Sequence, residues 1–258
     1  MKILFVGDIS GRPGRMAAAH FLPLLTQELG VNMIIANGEN AAGGIGLTAP
    51  VFEEILAAGV SIVTSGNHVW DKKEIFAFID RADKLIRPAN YPPGTPGRGY
   101  QTVDVNGTVV GVVNLSGRVY MPPVDCPFQT IDKILNEIGE RCDFVVVDFH
   151  AEASSEKMAL GWYLDGRVAA VIGTHTHIQT ADERILPGGT AYITDLGMVG
   201  PWNSVLGVDK DLVIKKFVTG LPAKFQLAEG VVVFNAALVE VDELSGKALN
   251  IMRIQRFK

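Results

Sequence analysis

Four of the five histidines in this 258-residue sequence, His68, His150, His175 and His177, follow closely on short apolar runs. Asp8, Glu39-Asn40 and Asn67 stand in the same kind of place. Histidines scattered as core or surface residues would seldom share such positions. Imidazole, carboxylate and amide oxygen are the donors of Mn, Fe, Zn, Co or Ni sites, and no cysteine stands among them to build a thiolate cluster. Asp8, Glu39, Asn40, Asn67, His150, His175 and His177 are too many ligands for one four-coordinate ion. They suit two ions sharing a carboxylate, with positions left open for water and substrate. Glu39 lies between the other ligands in the chain and suits the bridge. His175-Thr176-His177 projects two imidazoles from one short loop, which can serve one ion each. His20, between Ala19 and Phe21 inside an expected helix, reads as structural or surface.

Such a set needs a scaffold that delivers polar residues to one edge. KILFVG followed by Asp8 is the pattern of a buried strand with a polar residue at its carboxyl end. A helix is expected from Pro13 to Glu28, stopped by Gly30. A strand at 31–36, a helix at 48–58 ended by Gly59, and SIVTSGNH then repeat the theme. Strand, polar tip, helix, strand is the rhythm of right-handed βαβ units, whose ligands gather at the carboxyl ends of the strands. Residues 88–99, PANYPPGTPGRG, are dense in Pro and Gly and read as an irregular loop or cap. QTVDVNGTVVGVVNL reads as two strands joined at Asn106-Gly107. A helix near 129–141, a strand ending at His150, a helix near 154–163 and a strand ending in His175 and His177 follow. Two alternating strands around Leu244-Ser245-Gly246 close the chain. No repeat or low-complexity tract is visible, so residues 1–258 read as one α/β domain, with about 88–128 and 200–225 as loop or cap elaborations.

Composition excludes other classes. Hydrophobic residues make up 48% and charged residues 20%, an ordinary globular balance. The formal net charge is −5 and no long basic run is present, which argues against an extended nucleic-acid-binding face. Cys126 and Cys142 lack the spacing of a redox or zinc motif and read as free thiols. MKILFVGD is apolar for too few residues to act as a signal segment, and no run approaches a membrane span, so a cytoplasmic location is expected.

Gly7-Asp8, Gly38-Glu39-Asn40, Gly66-Asn67-His68, His150 and Gly173-Thr174-His175-Thr176-His177 resemble the ordered motifs of calcineurin-like metallophosphoesterases. The resemblance spans residues 1 to about 200. Two departures stand out: Asp8-Ile9-Ser10 replaces Asp-x-His, and Gly38-Glu39-Asn40 replaces GDxxD. Both are similar to the YmdB-like bacterial branch, as are GDISGRPGR and TDLGMVGP. The resemblance implies an αββα sandwich of mixed sheets flanked by helices, with a dimetal site at the strand ends and a small insert in mid-chain. It implies Asp8, Glu39, Asn40 and His177 on one ion, and Glu39, Asn67, His150 and His175 on the other, with Asn40 supplying the ligand lost with the missing His. The ions implied are divalent or trivalent, Fe or Mn foremost, with Zn, Co or Ni compatible. The branch acts on 2′,3′-cyclic nucleotides, implying a small phosphodiester substrate, and the resemblance is compatible with a homo-oligomer.

Two ions about 3.5–4 Å apart lower the pKa of a bridging water and clamp phosphoryl oxygens, and the resulting hydroxide attacks in line with the leaving alkoxide. That alkoxide needs a proton. The resemblance gives this role to His68, against its reading as a ligand or plain hydrogen-bond donor. A phosphomonoesterase, or a regulatory metal- or nucleotide-binding protein with weak catalysis, are the competing readings. Ser10 and Arg12 could contact substrate, Trp70 and Tyr91 could stack on a base or simply pack, and Asp195 could wall the cleft or sit in a turn. Gly43-Gly44-Ile45-Gly46 lacks the Lys-Ser/Thr of a P-loop and reads as a turn.

Overall fold

Alternation along the first strand decides the layering. In the computed structural model, which describes residues 1–258, β1 (Lys2–Val6) sends Leu4 and Val6 to one face and Ile3 and Phe5 to the other. All four are buried, as a strand covered on both faces requires. β2 (Asp8–Ile9) follows across Gly7, then α1 (Gly11–Leu29), β3 (Met33–Asn37), α2 (Ala49–Ala57) and β4 (Ile62–Thr64). β1, β3 and β4 pair in parallel through these helices. α1 starts two residues before Pro13, and Gly30, at φ 66, ends it by donating its N–H to Thr26.

β5 (Tyr100–Val105) and β6 (Thr108–Ser116) form the hairpin expected at Asn106-Gly107, both of which have positive φ. The stretch 88–128 is therefore only partly a cap. Residues 100–116 open the second sheet, because β6 buries eight of its nine residues, leaving only Val109 half-buried. α3 (Pro127–Ile138), β7 (Phe144–His150), α4 (Ser154–Tyr163) and β8 (Ala170–Thr174) continue two further parallel crossovers. β9 (Arg184–Ile185), β10 (Ala191–Ile193), β11 (Met198–Pro201), α5 (Lys210–Thr219), β12 (Val232–Val241) and β13 (Ala248–Phe257) complete the chain.

Two mixed sheets result. One runs β2-β11-β12-β1-β3-β4 with β13 on β12; the other runs β5-β6-β7-β8-β10-β9. Ile3, Phe5, Met33 and Ile35 of the first meet Val110, Val112, Val146 and Ile172 of the second. The outer face of the first sheet packs on Ala18, Leu22 and Leu25 of α1 and Phe52 and Ile55 of α2. The outer face of the second, through Val145, Val147 and Phe149, packs on Ile131, Ile134 and Leu160. The architecture is the αββα sandwich, and both sheets deliver their parallel strand ends to one edge. No helix is long and apolar enough to cross a membrane.

Candidate metal centre

That shared edge gathers the polar residues. Asp8 opens β2, Glu39 and Asn40 follow β3, Asn67 and His68 follow β4, His150 ends β7, and His175 and His177 lie just past β8. They line or underlie an open cleft of about 280 Å³ bordered by Glu39, Asn40, His68, Glu152, His175, His177 and Leu206.

His150 Nε2 is the junction. Glu39 Oε1 lies 3.0 Å from it, Asn67 Oδ1 3.1 Å and His175 Nδ1 3.0 Å. Donors sharing one ion through bonds of about 2.1 Å sit roughly 3.0–3.4 Å apart. The ligand atoms of Glu39, His150 and His175 all lie within 4.8 Å of one another, a grouping that could hold one ion. A second group surrounds His177: Asn40 Nδ2 lies 3.2 Å from its Nε2 and donates to Glu39 Oε1, also at 3.2 Å. An amide flip would turn the Asn40 oxygen toward the same space. Asp8 completes the edge. Its Oδ2 accepts the His175 N–H at 3.2 Å, whereas Oδ1 is the one buried side-chain oxygen or nitrogen without a hydrogen-bond partner. Buried carboxylate oxygens are rarely left so, and a cation supplies the missing partner. The donor set fits metal ions.

The surrounding chemistry sets ring orientation. Thr174 Oγ1 lies 2.9 Å from His150 Nδ1 and itself donates to Asp148 Oδ1 at 2.7 Å, while Thr64 also donates to Asp148. Nδ1–H thus points outward and Nε2 faces the donors, as in carboxylate-backed ligand histidines. Asn37 braces Glu39 beside that ring, its Oδ1 accepting the Glu39 N–H at 3.0 Å and its Nδ2 donating to the Ser65 carbonyl at 3.3 Å. Glu152 Oε2 stands 3.0 Å from His175 Nε2. Gly66 closes the packing: a Cβ there would lie 2.2 Å from His150 and 2.4 Å from Glu39 Oε2.

Charge follows from crowding. Burial drives the Asp8 carboxyl up to about 6, more than the nearby His177 and His150 lower it. Burial also opposes ionisation of Glu39, but the charge and hydrogen bond of His150, aided by His68, win and hold it at about 2. Burial disfavours the His150 cation, yet Glu39, Asp8 and Asp148 hold it up to about 9. Burial and the His150 cation together push His175 down to about 3. A proton on His150 thus stands where positive charge is wanted, and an entering ion would displace it.

Of the other residues singled out, Trp70 stacks on Phe76 and meets Tyr91 edge-on, so both pack as core edges. Arg12 and His20 are exposed, Ser10 is buried, and Gly43, Gly44 and Gly46 make a positive-φ turn. Asp195 is fully buried beneath the His175 loop. Sequence reasoning missed Asn37, Asp71, Asp148, Glu152 and Thr174. Asp71 alone left a signal, three residues after His68, whose Nδ1 it meets at 2.6 Å.

The YmdB-like protein family model matches residues 4–254. The 2′,3′-cyclic-nucleotide 2′-phosphodiesterase of Bacillus subtilis (strain 168) is 50% identical over 98% of this chain and 96% of its own length. Among solved structures, a protein of Thermus thermophilus superposes with a TM-score of 0.94 at 42% identity, over 100% of both chains. A phosphatase of Mycoplasma pneumoniae superposes with a TM-score of 0.95 at 34% identity, over 100% of this chain and 93% of its own.

Proposed function

The chain belongs to the YmdB-like family, and on that basis we propose that it is a metal-dependent phosphodiesterase acting on 2′,3′-cyclic nucleotides or similar small phosphodiesters. The observation that carries this reading is the junction at His150 Nε2, three donors at 3.0–3.1 Å beside the unpartnered Asp8 Oδ1. Asp8, Glu39, Asn40 and His177 would hold one ion, and Glu39, Asn67, His150 and His175 would hold the other. Fe or Mn suits these donors first, and Zn, Co or Ni is compatible. When bound, two ions supply Lewis acidity that activates water and neutralises charge on the phosphoryl oxygens.

The chain's own residues do the rest. Glu39, with both oxygens engaged, fixes the two groups relative to each other. His68 stands at the cleft with a partly exposed ring, its backbone N–H donating to Glu39 Oε2 at 3.0 Å. Asp71 accepts from Nδ1 and orients the ring, leaving Nε2 for the substrate; the form that acts as acid is the imidazolium, which carries a proton on each ring nitrogen. As the oxygen of water bonds to phosphorus and gives up one proton to solvent, the ester P–O bond breaks and the His68 Nε2 proton passes to the leaving oxygen, His68 then being reprotonated from solvent.

The test is one panel. Protein purified with Mn is assayed on 2′,3′- and 3′,5′-cyclic nucleotides, bis-p-nitrophenyl phosphate and p-nitrophenyl phosphate. Turnover of 2′,3′-cyclic nucleotides is expected. Monoester activity alone rejects the diesterase reading, and no turnover on any substrate favours a regulatory role.

A further inference from the structure

Beneath the loop that carries two of the histidines lies an ion pair outside the ligand set. Lys157 of α4 and Asp195, which follows β10, meet at 2.6 Å with side chains 1% and 0% exposed. Both Asp195 oxygens also accept backbone N–H groups: Oδ2 from Thr176 at 3.0 Å, Oδ1 from Gly197 at 2.8 Å. Gly197 leads into Met198, whose N–H donates to the His177 carbonyl at 3.1 Å. One carboxylate thus ties together the His-Thr-His turn and the strand that braces it.

That turn needs such a tie. Thr176 lies between His175 at φ 102 and His177 at φ 66, two side-chain-bearing residues in the left-handed region. This conformation persists only where the surroundings over-determine it. A buried ion pair is a weak source of net stability, because desolvation offsets its attraction. Its value here is directional.

We infer that Asp195, held by Lys157, is a positioning residue that sets the left-handed turn and so aims His175 and His177 into the two halves of the metal site. This rests on the metal reading above. Asn at position 195 keeps the size but offers one oxygen for two N–H groups, so its NH2 must face either Thr176 or Gly197. Charge alone is not the issue.

The test compares D195N, the double variant D195N/K157M, and Ile138→Ala, a core truncation in α3 away from the site. Metal-free melting temperature, Mn affinity by equilibrium dialysis, and kcat and KM are measured for each. D195N should bind Mn about 10–100-fold more weakly, the range seen when partners behind metal ligands are lost, with kcat falling more than KM changes. The double variant, without a lone buried charge, should recover melting temperature but not Mn affinity, and it carries the test if D195N does not fold. Mn affinity within twofold of wild type in either Asp195 variant overturns the inference. So does Ile138→Ala losing as much affinity at a comparable loss of melting temperature. If wild-type protein itself takes up no Mn, the metal reading fails instead.

Discussion

Gly66→Ala puts one methyl group at the centre of the site. Gly66 does not have a positive φ, so the effect is purely steric. The new Cβ would stand 2.2 Å from His150 Cδ2 and Nε2 and 2.4 Å from Glu39 Oε2, where ordinary contact begins at 3.4 Å. His150 and Glu39 must therefore move apart by about 1 Å each, or the strand end must retreat as far. A misplacement of about 1 Å at reacting groups costs on the order of 10²-fold in rate, about 2.7 kcal/mol of barrier. Overpacking of this kind costs a further 1–3 kcal/mol, roughly, in stability. Gly139→Ala is the control: nothing lies within 4 Å of its added Cβ. It should be neutral or slightly stabilising. The assay is kcat on a diester substrate together with metal content by elemental analysis. Gly66→Ala that keeps both ions and a kcat within threefold of wild type would refute the placement of His150 and Glu39 as neighbouring donors.

His68→Ala should retain the metals and slow alkoxide-leaving diesters by about 10²–10⁴-fold, while p-nitrophenyl esters, which leave without a proton, slow far less. Asp71→Asn should act in the same direction, and equal losses on both substrate types would remove His68 as the acid. In metal-free protein the raised His150 pKa stabilises fully below pH 6.5 and is lost as pH rises through about 9, so stability should fall by up to about 3 kcal/mol across that window. Asp8, at about 6, has already titrated below it. Metal uptake near pH ~7.5 should accordingly release close to one proton, read by calorimetry in two buffers of different ionisation enthalpy. Glu152→Gln should weaken metal binding by only about 10-fold through His175, since Glu152 is exposed, and unchanged affinity would leave that contact without a role.

Much of the candidate site was legible because strand and tip are encoded locally. KILFVG ending in Asp8, or DFVVVDFH ending in His150, announces both a buried strand and the residue it delivers. The hairpin at Asn106-Gly107 was legible for the same reason. Pairing between distant segments was not. Nothing near Val232–Val241 says that it lies antiparallel to β1, nor that the chain divides into two sheets sharing one edge. The residues behind the ligands were equally hidden. Asp148 meets Thr64 across 84 positions of sequence and Lys157 meets Asp195 across 38, so each pair exists only through the fold. Asp195 illustrates the point. From sequence it reads as a wall residue or a turn; its burial on Lys157 and Thr176 makes it neither. Trp70 and Tyr91 went the other way, from possible base platforms to packing.

Two ions held by one bridging carboxylate are the centre of the proposed chemistry. The direct measurement is anomalous diffraction at the Mn edge from crystals of the Mn-loaded protein. Two peaks about 3.5–4 Å apart are expected, with Glu39 between them, His150 on one and His177 on the other. A single peak, or peaks away from the carboxyl ends of β1, β3, β4, β7 and β8, would contradict it.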